Sequence, residues 1–445
     1  MSSREHLAGP PTGNVTAQWR EALRPVRMQR VALTAGLEDL RGALARTGEA
    51  ACVEIERLDS TARVAEGQDE VGRYAAAAVR HGETAALTGW CPAQQVPLLA
   101  ARLSEVGGAL VPLPTPRGVD PPTLLRDTGR GHRALSPLVR TFGTVPYADV
   151  DPTFPAALTY VLMFGVMFGD VGHGALLVAG ALLLRSGRIR ALETARHLWP
   201  FVAAAGAVGM AAGLLYGEFF GPTGVVPTLW LSPVDQPMRL IEYAIGLGAV
   251  LLAGAYAVGI LNRWREGGAG RAVYAVSGVA GSVLFLGAGA LVAGFYLRSG
   301  VVEIAGAVTA VLGIGAAGVG LAAAAPGGAA GGLQVGIGLF DLVTRTGANV
   351  VSFARLAAFG LTHAALGAVI WQGTTGLAHR GPIAAVGAVA LFAVGNAATF
   401  TLEALVAGVQ AMRLEFYELF SRIFELEGRP FRPFKLSARP PEAAP

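Results

Sequence analysis

The chain of 445 residues is short of charge: Asp, Glu, Lys and Arg make up only 15% of it, against about 25% in soluble domains. The charges it has lie mostly before residue 150 and after residue 412. This excludes a disordered solvating chain and leaves a membrane protein with a polar N-terminal region. There are only 2 cysteines, Cys52 and Cys91. They lack metal-ligand or disulfide spacing, which excludes a disulfide scaffold and fits a reducing compartment. Lysine is almost missing, Lys435 standing alone, so the small net charge of +4 is an arginine charge. With so much Ala and Gly, that bias reads as nucleotide composition, and no nucleic-acid partner is expected. The chain lacks a GxxxxGK[ST] loop, HExxH, a GxSxG elbow and clustered Cys/His. No ATP site, catalytic residue, metal or cofactor is therefore expected in it. The opening MSSREHLAGPPTGNV has no apolar h-region, so no cleavable signal is expected and residues 1–150 read as cytoplasmic.

What is present falls into three stretches. Residues 17–80 are Ala/Arg/Glu-rich, with apolar positions such as Val31, Leu33, Leu37, Leu40 and Leu44. That spacing predicts one or two amphipathic helices. In AALTGWCPAQQVPLLAARLSEVGGALVPLP, near 84–112, a strand ends at Trp90 and Pro92, a helix runs to Val106, and Gly107-Gly108 turns into a second strand. This is a small βαβ-like unit that needs a packing partner, and Trp90 reads as core. The Pro- and Gly-rich residues 113–150 read as a linker.

Beyond residue 150, apolar runs lie near 155–184, 198–217, 242–261, 272–296, 301–324, 335–374 and 382–412. Each is near or above the roughly 20 residues needed to span a bilayer. Seven crossings from a cytoplasmic N-terminus would put Arg422, Arg429, Arg432 and Lys435 outside, against the positive-inside rule. Splitting the first run at Gly169-Asp170-Val171-Gly172-His173-Gly174 removes the conflict. The expected fold is mainly α: a polytopic bundle of about eight segments over 151–416, with two long polar-striped C-terminal helices. A small α+β cytoplasmic domain (1–150) precedes it and a cytoplasmic tail (417–445) follows.

Ionisable groups inside a membrane helix are costly, about 2.5–3.5 kcal/mol each on the insertion scale, and mark function by default. In the 335–374 run, Asp341, Arg345, Asn349, Ser352, Arg355 and His363 recur at three-, four- and eight-residue steps, which keeps them on one helical face. In the last run Asn396, Thr399, Glu403, Gln410 and Arg413 form a looser stripe. Arg355 is the sharpest signal, because a guanidinium stays charged and cannot itself carry a proton. It can force a neighbouring carboxylic acid to release one. His363 and Arg413 are open between functional and packing or snorkelling roles. Asp170 and His173 are open between channel lining and ordinary helix-break polarity, and Glu218, in an external loop, between channel mouth and surface charge.

Four stretches in order, PYADVDPTFPAALTYVLMFGVMFGDVGHG, LLYGEFFG, SFARLAAFGLTHA and LEALVAGVQAMRLEFYELFSRIFELEGRPFRPF, resemble the a subunit of rotary V-type and A-type ATPases, called subunit I in prokaryotes. The resemblance covers about residues 140–435 well and 84–112 weakly. It implies a stator in the cell membrane whose two proton half-channels face a proteolipid c/K ring. Peripheral- and central-stalk subunits and lipid would be its other partners. Proton translocation would couple to ATP hydrolysis or synthesis on those partners, with Na⁺ an alternative ion. Residue by residue, it implies that Arg355 is the essential arginine of the penultimate helix, His363 and Glu403 are channel residues, and Arg413 is the second functional arginine. Asp170, His173, Ser352, Asn349, Gln410 and Glu218 are possible channel-lining groups.

The chain departs from that pattern in its short N-terminal domain, in Asn349 where an acid is common, and in Ala404 where glycine is usual. Two other readings stay open. One is a self-sufficient secondary transporter built on Asp170, Glu403 and Arg355, for which paired broken helices are expected. The other is a non-pumping scaffold homologue.

Overall fold

The computed structural model describes residues 24–56, 70–116, 118–125, 143–424 and 428–436, together with Val139. It divides into two compact units. One comprises residues 1–126, 144–148 and 426–445, and the other 127–143 and 149–425.

In the first unit, strand β1 (Met28–Gly36) is followed by helix α1 (Leu40–Ala50), strand β2 (Glu54–Ile55), helix α2 (Glu70–Ala77) and strands β3 (Val79–His81) and β4 (Thr84–Pro92). Helix α3 (Val96–Ser104) and strand β5 (Gly108–Pro112) complete it. The sheet order is β2-β4-β1-β5, with β3 also on β4. Both β4 and β5 run antiparallel to β1, so β4-α3-β5 is a βαβ unit with β1 inserted between its strands.

The helices expected over 17–80 are corrected in part. Met28–Gly36 is a strand, and of the rest only α1 and α2 are helical among the described residues; 17–23 and 57–69 lie outside them. The reason is period two: Val31, Leu33 and Ala35 alternate into the core with Leu87, Leu99 and Leu103, as in a half-buried strand. Trp90 is fully buried. The segment 428–436 joins the same unit. Phe434 donates its N–H to Val53 O at 2.8 Å, its ring packs edge-on against Tyr74, and Arg432 N–H donates to Glu54 Oε2 at 2.7 Å.

The second unit is helical: α4 (Thr153–Met167), α5 (Val171–Ser186), a 3₁₀ stretch (Arg190–Leu198), α6 (Trp199–Tyr216), α7 (Pro237–Tyr274), α8 (Val279–Leu297), α9 (Gly300–Ala324), α10 (Ala329–Ser352), α11 (Ala354–Ala378) and α12 (Pro382–Leu414). A π-helical turn (Glu415–Phe420) and a last short helix (Ser421–Ile423) end it. Among the described residues, six helical stretches are long and apolar enough to cross a membrane: Arg190–Tyr216, Pro237–Tyr274, Val279–Leu297, Gly300–Ala324, Ala329–Ala378 and Pro382–Ile423. Helices α4 and α5 are apolar but shorter.

Glycines set the close packing, as in membrane bundles where small residues let backbones approach. A side chain on Gly287, Gly306 or Gly313 would collide with the backbone of the facing helix in the α8–α9 hairpin. The 335–374 run is interrupted at Phe353, which separates α10 from α11. Phe353 is fully buried in a notch that only a glycine at 248 leaves open. Where the chain enters and leaves this unit, Asn262 accepts from Val150 N–H at 3.0 Å and donates to Ile423 O at 3.2 Å. Arg263, also buried, reaches Asp149 at 3.7 Å and Glu266 at 2.6 Å.

Candidate functional site

The break between α4 and α5 builds the first half of the site. Asp170 leaves the helical region (φ −143°, ψ 130°) and caps α5, its Oδ1 accepting from His173 N–H at 2.8 Å. Capping satisfies a helix-end amide that has no intrahelical partner. Its Oδ2 accepts from Gly221 N–H at 2.9 Å, which draws the loop after α6 onto the cap. Gly221 has φ 92° and sits against Gly367 of α11, where a side chain on either would meet backbone. Gly213 of α6 likewise leaves no room for a Cβ beside Asp170 and Val171. Asp170 is therefore completely buried and fixed from three sides.

Two imidazoles converge on it. His173 Nδ1 lies 3.9 Å from Asp170 Oδ1, and His363 Nε2, from α11, lies 3.9 Å from Asp170 Oδ2. The other nitrogen of His363, Nδ1, bonds Glu403 Oε2 on α12. His173 and His363 are 1% and 4% exposed, with ring centroids 5.4 Å apart. Phe168, Phe220 and Phe400 wall the pair. Among the described residues neither ring nitrogen of His173 makes a hydrogen bond, nor do Glu403 Oε1 and Glu218 Oε2. Glu218 is buried, and its backbone carbonyl accepts from Val171 N–H at 3.0 Å. Burying a charged group without compensation is expensive, so carboxylates and imidazoles gathered this way point to proton or cation handling.

A second group forms around the start of α11. Arg355 is partly buried with Nη1 unpartnered. Glu418, in the π-helical turn, is buried within electrostatic reach of Arg355 and Arg413 and beside the Ser352 hydroxyl. Ser352 itself donates to Ala348 O at 2.9 Å. Turned to satisfy both its groups, the Asn349 amide accepts from Arg422 Nη2 and donates to Arg345 O, each at 3.1 Å. Arg422 also stacks over Tyr256 at 5.4 Å. Nearby, buried Glu415 accepts from the Thr159 hydroxyl at 2.6 Å. Arg413 is exposed and Gln410 half-buried with Oε1 unpartnered.

The structure thus brings Asp170, His173, His363, Glu403 and Glu218 into one group and Ser352, Arg355, Glu418 and Arg413 into another. Eight residues of α11 separate Arg355 from His363, about 12 Å of helix. Glu403 pairs with His363, and no ion pair links it to Arg355 among the described residues. The sequence reading missed Glu415, Glu418 and Arg422 as site members. A run of Glu and Arg after residue 412 looks like a soluble tail, and the only signal was that Glu415 and Glu418 share a helical face with Arg422.

Among the described residues, six membrane-length helices, with the buried carboxylates and imidazoles packed between them and the two shorter helices, define an integral membrane protein. The comparisons show what the chain is similar to. Residues 76–245 match the model of the V-type ATPase 116kDa subunit family. The chain is 36% identical over 182 residues to V-type ATP synthase subunit I 2 of Treponema pallidum, covering 39% of this chain and 38% of that one. It is 26% identical to A-type ATP synthase subunit I of Aeropyrum pernix, covering 96% and 67%. It is also 33% identical over 103 residues to V-type proton ATPase subunit a of Neurospora crassa, covering 22% and 12%. Over the matched stretches the chain is similar to subunit I and subunit a of A- and V-type ATPases. It spans 38% of the Treponema pallidum protein, 67% of the Aeropyrum pernix protein and 55% of a further relative, A-type ATP synthase subunit I of Thermococcus kodakarensis.

Proposed function

We propose that the chain is the ion-translocating stator subunit of a rotary A/V-type ATPase, working against a proteolipid ring and coupled to ATP hydrolysis or synthesis on partner subunits. The observation that carries this reading is the pair of polar groups at different depths along α11, one acidic and imidazole-rich, the other built on Arg355. Two offset aqueous half-channels need that arrangement. A continuous polar column would let protons cross without turning the ring.

In this mechanism a proton enters by way of Glu403 and His363, whose direct contact makes them a relay, with Asp170 and Glu218 holding the negative potential that attracts it. It neutralises a carboxylate on the ring, which can then face lipid, since carrying a bare charge there is prohibitive. After rotation that carboxylic acid meets Arg355. The fixed guanidinium favours the carboxylate, so the proton leaves through the group containing Glu418, Ser352 and Arg413. Arg355 also prevents direct passage between the two groups, because it repels a proton and cannot shuttle one. Asn349 and Gln410 line the path as polar neighbours.

Eight membrane segments fit the helices, six of spanning length plus the shorter α4 and α5 on either side of the Asp170 break. An even number is supported by the first unit, which holds both the sheet before residue 112 and residues 428–436. A chain that leaves and re-enters one compact unit starts and ends on one side of the membrane. By the positive-inside rule that side is the cytoplasm, which makes the sheet unit the domain that meets the stalk subunits.

Replacing Arg355 with Ala in the assembled, vesicle-reconstituted complex tests the reading. Coupled ion pumping should vanish while ATP hydrolysis on the partner subunits persists. Undiminished ATP-driven acidification by that variant would remove the proposal.

A further inference from the structure

We infer that Asp170, His173 and His363 form a binding site for a zinc-class divalent cation. The three donor atoms lie within 4.8 Å of one another and all three residues are buried. Two imidazoles and one carboxylate are a donor set suited to borderline d-block ions such as Zn²⁺ and Co²⁺, whereas Mg²⁺ and Ca²⁺ favour all-oxygen cages.

The geometry is close to what such an ion needs. A tetrahedral ion with bonds of about 2.1 Å holds its ligand atoms about 3.4 Å apart. Each imidazole nitrogen here is 3.9 Å from an Asp170 oxygen, so small rotations of the two rings close the site. Every ligand is also free to bind. Each Asp170 oxygen accepts one backbone hydrogen bond and keeps lone-pair capacity. Neither nitrogen of buried His173 makes a hydrogen bond among the described residues, although a buried polar atom is rarely left so.

His363 carries the most specific sign. With Nδ1 engaged by Glu403, the proton sits on Nδ1 when the ring is neutral, and Nε2 presents its lone pair toward Asp170. This is the carboxylate–histidine–metal arrangement in which an outer carboxylate fixes the tautomer and strengthens the ligand. Phe168, Phe220 and Phe400 wall the two imidazoles, Glu218 adds negative charge within electrostatic reach of Asp170 and His363, and the fourth position falls to water, as in open zinc sites.

Binding would displace any proton on the ligating nitrogens, leave the His363 Nδ1 proton on its bond to Glu403, and occupy both imidazoles at once. If the pump reading holds, Zn²⁺ is then a reversible plug in the half-channel that contains Glu403. This consequence rests on that reading, whereas the site itself does not.

Co²⁺ added to the purified, chelator-treated full-length chain in detergent tests the site directly. One equivalent should produce the intense visible bands of four-coordinate Co²⁺, lost on adding Zn²⁺ and unaffected by Mg²⁺. His173→Gln and His363→Gln should each abolish the bands and weaken Zn²⁺ binding by about 100-fold or more. The milder Glu403→Gln should keep the bands and weaken binding by about 10- to 100-fold, as outer-shell changes do. A wild-type chain without a four-coordinate spectrum, or one whose spectrum survives both histidine substitutions, would overturn the inference. Pumping by the reconstituted complex in chelator reports separately on the proposed function. A chain that binds Co²⁺ in a complex that does not pump keeps the site and loses the pump, and the reverse result keeps the pump and loses the site.

Discussion

His363 and Glu403 meet across α11 and α12, the imidazole Nδ1 on the carboxylate Oε2 and 40 residues apart in the chain. This contact makes Glu403 the partner of an imidazole, so in the proposed pump the glutamate and Arg355 would act on the proton at different points of the path. Losing one member of a buried, hydrogen-bonded pair costs about 3–5 kcal/mol, because the other is left uncompensated. Glu403→Gln keeps the hydrogen bond and removes the charge, whereas Glu403→Ala removes both. The Ala variant should therefore lower the melting temperature of the detergent-solubilised chain more than the Gln variant does. Both should reduce pumping at least tenfold. Equal melting temperatures for the two variants would mean that the contact contributes nothing to holding α11 and α12.

The position of Asp170 depends on the close approach of α6. A Cβ on Gly213 would run into the backbone of Asp170 and Val171, and neither can yield without breaking the cap of α5. Gly213→Ala should destabilise by about 1–3 kcal/mol, the usual cost of overpacking, and disturb the site with no polar group removed. Gly180→Ala, on α5 where a Cβ meets nothing within 4 Å, should be neutral or slightly stabilising. Thermal unfolding of the two variants side by side checks the contrast.

How much of this was legible in the sequence depends on the range of the interaction. The spanning helices were legible because the bilayer demands a long apolar run and nothing else in the chain supplies one. The break at Gly169–Asp170 was legible too, since three glycines around a carboxylate cannot continue an apolar helix quietly. What Asp170 touches was not, because Gly221 and His363 arrive from other elements. Strand β1 was misread as helix because Val31 and Leu33 obey period two while the same stretch continues into Leu37, Leu40 and Leu44, which suit period 3.6. Glu418 was passed over because charge near a chain end resembles solvent-exposed tail, and only the π-helical turn brings it under Arg355. The separation of Glu403 from Arg355 is likewise a matter of depth, which helical spacing on one strand of sequence does not fix across two helices.

The sheet unit offers a pH test away from the membrane. Burial pushes the Glu56 carboxyl up, but the Arg30 guanidinium at 2.8 Å and the Thr88 hydroxyl at 2.8 Å outweigh it, and the net shift is downward. A lowered folded value means a contribution that is complete above the ordinary glutamate value of about 4.3 and fades as pH falls below it. The sheet should therefore lose stability on acidification from pH 5 toward about pH 3, and Arg30→Gln should flatten that dependence. Hydrogen exchange at Glu56 N–H, which donates to Thr88 O at 2.8 Å, reads it residue by residue. An acid response unchanged by Arg30→Gln would assign the loss to other carboxylates.

Phe434 lies in the core of the same unit although the whole helical stretch 149–425 intervenes in the chain. Its ring and Leu436 fill the space over Gly48, where a Cβ would come 2.7 Å from Leu436 Cγ and 3.0 Å from Phe434 Cε1. A truncation as large as Phe→Ala in a core costs about 3–5 kcal/mol, which is a large part of the stability of a domain this small. Phe434→Ala should thus speed exchange across β2 and β4 and leave the amides of α8 and α9 unchanged. The split between the two regions is informative. Faster exchange confined to 428–436 would mean that this segment only rests on the sheet, and the support it gives to an even number of crossings would go with it. Faster exchange in β2 and β4 would mean that the sheet is completed only once the last membrane helix has been made and its tail has come back to the same side.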